Sequence, residues 1–289
     1  MPQTPDINRR IVLAERPKGA PNAQTLRIET ADVPTAGAAQ MLLRSEYLSL
    51  DPYMRGRMND AKSYAEPVAI DAVMTGQVVA EVVTSDVAGF AVGDRVLAMN
   101  GWQDYAVSDG DGVLNLGPAP AHPSWSLGIL GMPGYTAYAG LLQIGEPQPG
   151  ETVVVAAASG PVGATVGQIA KLKGCRVVGI AGGPEKCEHV VANLGFDACI
   201  DHKADDFAAQ LKAACVDGID VYFENVGGKV LYAVLPLLNA FARMPVCGVV
   251  SWYNLTGLPD GPDMGPAIMG TILRMKVKVQ GFIIFDSFP

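Results

Sequence analysis

The residues with the clearest chemical meaning are Ala158-Ser159-Gly160-Pro161-Val162-Gly163, which follow the apolar run Val153-Val154-Val155-Ala156-Ala157. A strand, a glycine-bearing turn and a helix, in that order, make a cradle for a pyrophosphate. Gly160 lets backbone amides approach the phosphates, and Gly163 lets the helix pack closely on the strand. Pro161 suits the first helical position, where its missing N–H costs nothing. The free amides and positive dipole end of the helix then face the anion. Ala158 stands where the fingerprint has its first glycine. The same glycines would also serve a bare strand-to-helix turn; the strand before and the helix after favour dinucleotide binding.

The identity of the dinucleotide follows from a missing carboxylate. An NAD site wants an acid about 20 residues on, at the end of the second strand, to hold the ribose hydroxyls. Residues 152–184 contain neither Asp nor Glu. The second strand ends instead in Ala181-Gly182-Gly183-Pro184, and Lys186 lies just inside the next helix. A lone lysine on a helix is ordinarily a solvated residue, but here it suits a 2′-phosphate, so the expected cofactor is NADP(H). His202, after the third strand, is a second candidate for that phosphate end.

Other chemistries find little to stand on. Zinc needs three or four Cys, His or carboxylate ligands gathered in space. The first 174 residues contain no cysteine and one histidine, His122, which precedes a proline in an expected exposed loop. No metal site is expected. Ser159 lies in the phosphate turn, and a G-x-S-x-G nucleophile elbow is absent. Arg55, Arg57, Lys62 and Arg95 read as solvated faces or packing of the first domain rather than as a carboxylate site.

The elements that must position these residues fall into two parts. Short apolar runs at 11–14, 41–44, 76–83 and 97–99, with turns between them, suggest a small β-barrel or sandwich. Residues 124–142 read as a helix. Apolar strands at 152–157, 176–181, 198–201, 220–223 and 245–250 then alternate with helices at 161–173, 185–194, 204–214 and 229–239, and a last run at 277–285 adds a sixth strand. Wholly apolar strands alternating with helices predict an α/β fold whose parallel sheet is covered on both faces. The expected domains are 1–123 and 124–289.

Composition narrows the function classes further. The 289 residues are 49% hydrophobic and 17% charged, with a net charge of −8. Such an acidic chain lacks the electrostatic footprint for nucleic acid or anionic lipid. The longest apolar stretch, 127–142, is broken by Gly131, Pro133, Gly134 and Gly140 and is shorter than the roughly 20 residues needed to span a bilayer. Five cysteines without a C-x-x-C pair, and a polar N-terminus with Pro2 and Pro5, suit reduced thiols in the cytoplasm.

Longer strings carry a resemblance: GMPGYTAYAGL (131–141), the run from 156 to 187, DVYFENVGG (220–228), YLSLDPYMRGRM (47–58) and CGVVSWYNLTG (247–257). Over nearly the whole chain they resemble the zinc-independent medium-chain dehydrogenases/reductases. Within that family they match the NADPH-dependent prostaglandin, alkenal and curcumin-type reductases. The resemblance implies a GroES-like N-terminal domain, a doubly wound Rossmann domain, an active site between them, and homodimers. It implies that Gly160, Pro161, Val162 and Gly163 hold the pyrophosphate and Lys186 the 2′-phosphate. His202 stands where relatives often carry a tyrosine that contacts this phosphate. Asn225, Cys247, Gly248, Val249, Val250, Ser251 and Trp252 would line the path to the nicotinamide, and Phe282, Ile283 and Ile284 would border it. Gln77 stands where plant relatives carry a tyrosine near the substrate, so substrate preference is not carried over from them. Relatives run on for several tens of residues past the position of Pro289, returning to the first domain.

The implied reaction is hydride delivery from NADPH to the β-carbon of an α,β-unsaturated ketone or aldehyde. Tyr253, in the loop after the fifth strand, is the candidate donor to the developing enolate oxygen, and Tyr53 a second candidate at the substrate. Read alone, both are ordinary half-buried aromatics. Quinone reduction by the same hydride, or NADPH binding without turnover, are the alternatives.

Overall fold

The computed structural model describes residues 7–287. The chain divides between Gly128 and Ile129 into two compact units. In the first, β1 (Ile7–Leu13) pairs antiparallel with β2 (Leu26–Asp32). A second antiparallel sheet contains β3 (Met41–Leu48), β4 (Val78–Ser85), β5 (Arg95–Ala98), β6 (Tyr105–Ser108) and β7 (Leu114–Gly117), in the order β6-β3-β4-β5-β7. Alternate residues Val78, Ala80 and Val82 of β4 meet Met41, Leu43, Val96 and Ala98 in its core, as a period of two requires. The short helix α1 (Tyr53–Arg57) sets Met54 into a second cluster with Leu13, Met58, Val68 and Met74. Arg55 donates to the Gly19 carbonyl, Arg57 to the Glu66 carbonyl, and Arg95 pairs with Glu46, so these three cations pack within the unit.

The helix expected over 124–142 is three pieces. A 3₁₀ turn spans Pro123–Leu127, then α2 covers Met132–Ala139, and a π-helical turn covers Gly140–Gly145. Gly128 and Gly131 leave helical geometry between the first two. A side chain at Gly140 would strike the Phe282 ring at 2.4 Å and the Phe223 ring at 2.9 Å, so the chain passes closely there.

From there strands and helices alternate: β8 (Thr152–Ala156), α3 (Pro161–Leu172), β9 (Arg176–Ala181), α4 (Pro184–Ala192), β10 (Ala198–Asp201), α5 (Phe207–Ala214), β11 (Ile219–Phe223), α6 (Gly228–Val234), β12 (Leu238–Val246), α7 (Gly265–Met275) and β13 (Lys278–Gly281). The six strands are parallel in the order β10-β9-β8-β11-β12-β13. Counted within the unit this is 3-2-1-4-5-6, the doubly wound Rossmann order, whose direction reverses between β8 and β11. Every residue of β8 is buried, and α3 turns Gly163, Val166, Gly167 and Ala170 inward at helical spacing.

The strand set at 245–250 is displaced to Leu238–Val246, with a 3₁₀ turn at Val250–Trp252, and the helix at Gly265–Met275 was not among the expected elements. Two further elements are shorter. The helix set at 229–239 stops at Val234, because Pro236 has no N–H to continue it; a 3₁₀ turn follows and β12 begins at Leu238. The strand set at 277–285 ends at Gly281, and Ile284–Ser287 is a 3₁₀ turn. At the N-terminal edge of the sheet, Arg243 of β12 ties several segments together. Its guanidinium donates to the Gly145 carbonyl at 2.9 Å, the Glu146 carbonyl at 3.0 Å and Glu151 Oε1 at 2.9 Å. Asp220 accepts from the Thr152 N–H at 2.9 Å and from the Asn239 amide at 2.8 Å.

Candidate functional site

The C-terminal edge of the parallel sheet carries the candidate residues of the second unit. At the end of β8, Ala157 takes a left-handed conformation at φ 52°, a region that non-glycine residues visit at some cost. The turn is closed by the Gly160 N–H donating to the Ala157 carbonyl at 3.0 Å. Gly160 is the extended N-cap of α3 and Pro161 its first residue. A Cβ at Gly163 would lie 2.3 Å from the Ala157 carbonyl oxygen and 3.0 Å from Ala158 Cα. That approach is open to glycine alone, and it seats the helix start directly over the strand end. The cradle therefore fits a pyrophosphate on observed geometry: the first turn of α3 offers amides without intrahelical partners.

One strand over, β9 ends at Ala181 and passes into Gly182 and Gly183, the latter at φ 100° as N-cap of α4. Asp201 fixes this turn. Its Oδ1 accepts the Gly183 N–H at 2.8 Å and the Lys203 N–H at 2.9 Å, and these donors, Lys203 before Gly183, hold its carboxyl below the usual range. His202 and Lys203 crowd Gly182: a Cβ there would lie 3.0 Å from His202 Nε2 and 3.4 Å from Lys203 Cε. Burial, and then the nearby Lys229, push the His202 imidazole down, so it stays neutral at physiological pH. Its Nδ1 is buried without a hydrogen-bond partner. Lys186 is exposed on the first turn of α4. This end of the sheet therefore gathers lysines and a histidine with an orphaned nitrogen beside Asp201, whose Oδ1 is taken up by backbone donors, which fits a 2′-phosphate. Lys203, Lys229 and Asp201 were not among the residues singled out from sequence. The signal for Lys203 is its place directly after His202 at a strand end; Lys229 reaches this end only through the fold.

Across the switch point, Asn225 donates its side-chain amide to the Ala156 carbonyl at 2.8 Å, joining the ends of β11 and β8. Glu224 beside it is 1% exposed. Its Oε1 accepts the Val226 and Gly227 N–H groups at 2.6 and 2.8 Å, while its main-chain oxygen accepts from Cys247 at 2.9 Å and Gly248 at 3.2 Å. Burial raises the Glu224 carboxyl above its ordinary range against these donors. The segment from Cys247 to Tyr253 is zipped onto the same turn: Val250 N–H to the Asn225 carbonyl, and Ser251 N–H and Oγ to the Val226 carbonyl. Trp252 lies against Gly227, where a Cβ would sit 3.2 Å from its ring. Glu224 is thus the hub between two stretches singled out from sequence, a role its position in DVYFENVGG did not reveal.

Tyr253 is half-buried, with its hydroxyl 3.0 Å from where a Gly248 side chain would begin. Burial raises its phenol above the ordinary value, against a hydrogen bond from the Val249 backbone. It therefore stays protonated and available as a donor. Phe282 packs edge-on against Phe223, ring centroids 6.3 Å apart, and Ile284 is buried. Ile283, between them, is half-buried. In the first unit, Tyr53 is half-buried and its phenol is pushed up to about 12, by burial first and by Asp51 next. Gln77 accepts the Ser49 N–H through its carbonyl at 3.0 Å. His122 is exposed and stacks on Trp125 at 4.0 Å.

Among the described residues no three His, Cys, Asp or Glu side chains come together as a metal site, and none of their helices is long and apolar enough to cross a membrane.

Comparison with known proteins completes the picture. Residues 9–116 match a family model described as the N-terminal domain of oxidoreductase, and residues 161–288 one described as zinc-binding dehydrogenase. The metal in that second description does not fit the donor set described above. The chain is 61% identical over 288 residues to the NADPH-dependent curcumin reductase of Escherichia coli (strain K12), covering 100% of this chain and 84% of that protein. It is 38% identical over 287 residues to the NADP(+)-dependent 2-alkenal reductase of Nicotiana tabacum, covering 97% and 82%. The crystal structure of CurA from Vibrio vulnificus in complex with NADPH superposes with a TM-score of 0.94 at 62% identity, over 97% of this chain and 83% of that one.

Proposed function

The chain belongs to the zinc-independent medium-chain dehydrogenase/reductase family, and from that premise we propose that it reduces the C=C bond of α,β-unsaturated ketones or aldehydes at the expense of NADPH. The observation that carries the reading is the Tyr253 hydroxyl, held over Gly248 at the edge of the sheet where doubly wound folds take their ligands. The named activities of the curcumin and alkenal reductases support the same reading.

Residues 160–163 would hold the pyrophosphate on the amides of α3. Lys186 and Lys203, with His202, would hold the 2′-phosphate. Asn225 and the stretch 247–252 would line the path between, and Phe282, Ile283 and Ile284 would border its far end. When bound, NADPH supplies the hydride that adds to the β-carbon. Negative charge then gathers on the substrate carbonyl oxygen, and a donor aimed at it is worth about 10²–10³ in rate. Tyr253 is that donor in this reading, and its raised phenol keeps the proton on oxygen. Tyr53, in the first unit, would be a second residue for the substrate in this reading. The same reading places the enzyme in the cytoplasm as a homodimer; five free cysteines support the first, and the exposed edge strand β13 supports the second.

The test is NADPH oxidation against a small alkenal, a long-chain enone, a diaryl dienone, a benzoquinone and a saturated ketone. Turnover of the enones to saturated carbonyl products is expected. Turnover of the quinone alone would replace the reading with quinone reduction, and NADPH binding without any turnover would leave a sensor.

A further inference from the structure

Two of the five cysteines meet across the outer edge of the cofactor unit. Cys199 of the edge strand β10 pairs in register with Gly179 of β9. A Cβ on Gly179 would lie 3.2 Å from Cys199 Sγ and 3.0 Å from Val190 Cγ1 of α4. The absent side chain thus lets helix and sulfur settle together over the strand. Cys187 stands three residues before Val190, on the same face of α4. Cys187 is the neighbour that, after burial, raises the Cys199 thiol, and neither is in a disulfide. Both are half-buried, with exposed Lys186 and Glu188 flanking Cys187, whereas Cys175 and Cys215 are buried.

We propose that Cys187 and Cys199 are a reversible redox pair, closed to a disulfide by a hydroperoxide, and that closure loosens the grip of the unit on NADPH. The second clause rests on the reading of Lys186 as a phosphate ligand. In the first step the Cys187 thiolate attacks the O–O bond, taking one oxygen as sulfenic acid and releasing water or alcohol after protonation. The Cys199 sulfur then displaces the sulfenic hydroxyl as a second water, and the S–S bond forms. Two thiols lose two electrons and the hydroperoxide gains them. Burial pushes the Cys199 thiol up, with Cys187 beside it adding to the effect, which suits the resolving rather than the attacking role.

The coupling is steric. Closure brings the two sulfurs to about 2.05 Å. The first turn of α4 must follow, and Lys186 precedes Cys187 on that turn. Asp201 already fastens the start of the same helix to the end of β10 through Gly183, so the strain falls on the 2′-phosphate end. A lost charge-assisted hydrogen bond raises Kd about tenfold or more.

The experiment treats the whole protein with hydrogen peroxide, blocks remaining thiols, and maps peptides by mass spectrometry while NADPH and NADH binding are titrated. A Cys187–Cys199 linked peptide, reversal by dithiothreitol, and about a tenfold rise in Kd for NADPH without one for NADH are expected. Cys187→Ser and Cys199→Ser should each abolish the link and keep reduced-state NADPH binding after peroxide. Five alkylatable thiols after treatment, or linkage through other cysteines, overturn the pair. A linked protein with unchanged NADPH affinity overturns the coupling. Lys186→Ala in reduced protein separates the two ideas: if it leaves the NADPH-over-NADH preference intact, the phosphate reading fails while the linked peptide still decides the pair.

Discussion

Replacing Gly163 with alanine sets two effects of opposite sign against each other. Gly163 lies inside α3 with ordinary helical backbone, so propensity alone predicts that alanine stabilises the helix by about 0.8–1.0 kcal/mol. The contact geometry predicts the reverse. The new methyl would sit 2.3 Å from the Ala157 carbonyl oxygen and 2.9 Å from its carbon, both backbone atoms that cannot swing aside. Relief requires the helix start and the turn to part by about 1 Å, and overpacking of this kind costs about 1–3 kcal/mol. The net is a loss of up to about 2 kcal/mol, or several degrees in Tm. The functional loss is larger, because that displacement moves the amides at 160–163 off the pyrophosphate. One charge-assisted hydrogen bond, at about 1.5–3 kcal/mol, is worth at least tenfold in Kd. NADPH and NADH share the pyrophosphate, so both should weaken by the same factor. The assay is fluorescence titration of each dinucleotide beside a melting curve. Gly160→Ala is the control for the melting curve alone, since its methyl would stand 3.3 Å from the Ala157 oxygen and needs only a few tenths of an ångström. A Gly163→Ala protein that melts higher and binds both dinucleotides normally would refute the close-approach reasoning.

Lys186→Ala should weaken NADPH about tenfold or more, the size of one charge-assisted hydrogen bond, and leave NADH unchanged; steady-state KM values for the two cofactors check this. Tyr253→Phe should lower kcat by about 10²–10³ with NADPH affinity unchanged, read from enone turnover beside a binding titration, and unchanged turnover would leave the tyrosine as packing. Glu224→Gln tests the buried hub through pH. Burial raises the native carboxyl above its unfolded value, so between the two values the native state holds more protons and stability falls as pH rises, by up to about 1.4 kcal/mol per pH unit. The amide keeps the Oε1 acceptor but cannot titrate, so chemical denaturation across that window should show a flatter profile; an unchanged slope would assign the pH dependence elsewhere.

The strand, turn and helix of the candidate cradle were readable because their instructions are local. An apolar strand, Gly160, Pro161 and a helical run follow one another within a dozen residues, and the missing acid is a statement about the same stretch. The doubly wound order follows from repetition of that unit. What escaped was set by contacts distant in sequence. Lys229 reaches the 2′-phosphate end from α6, and Glu224 acts through backbone groups of a segment more than twenty residues later. The division of the stretch 124–142 escaped because its mean apolarity is helical throughout, while the breaks at Gly128 and Gly131 and the close passage at Gly140 depend on what the chain meets there. Pro236 did carry a local signal, which the surrounding leucines masked.

Arg243 stands at the opposite edge of the sheet from every candidate ligand contact in its unit, and its bonds to Gly145, Glu146 and Glu151 knit the N-terminal ends of β8 and β12 to the π-helical turn. The unit is thus divided between a foundation and a workbench. Loops at the workbench edge can be varied without touching these Arg243 bonds, provided that Asp201, Glu224 and Asn225 keep theirs. For directed evolution this means that libraries confined to the loops after β9, β11 and β12, sparing Glu224 and Asn225, should retain a high folded fraction, whereas one substitution at Arg243 should remove more folded variants than many in those loops.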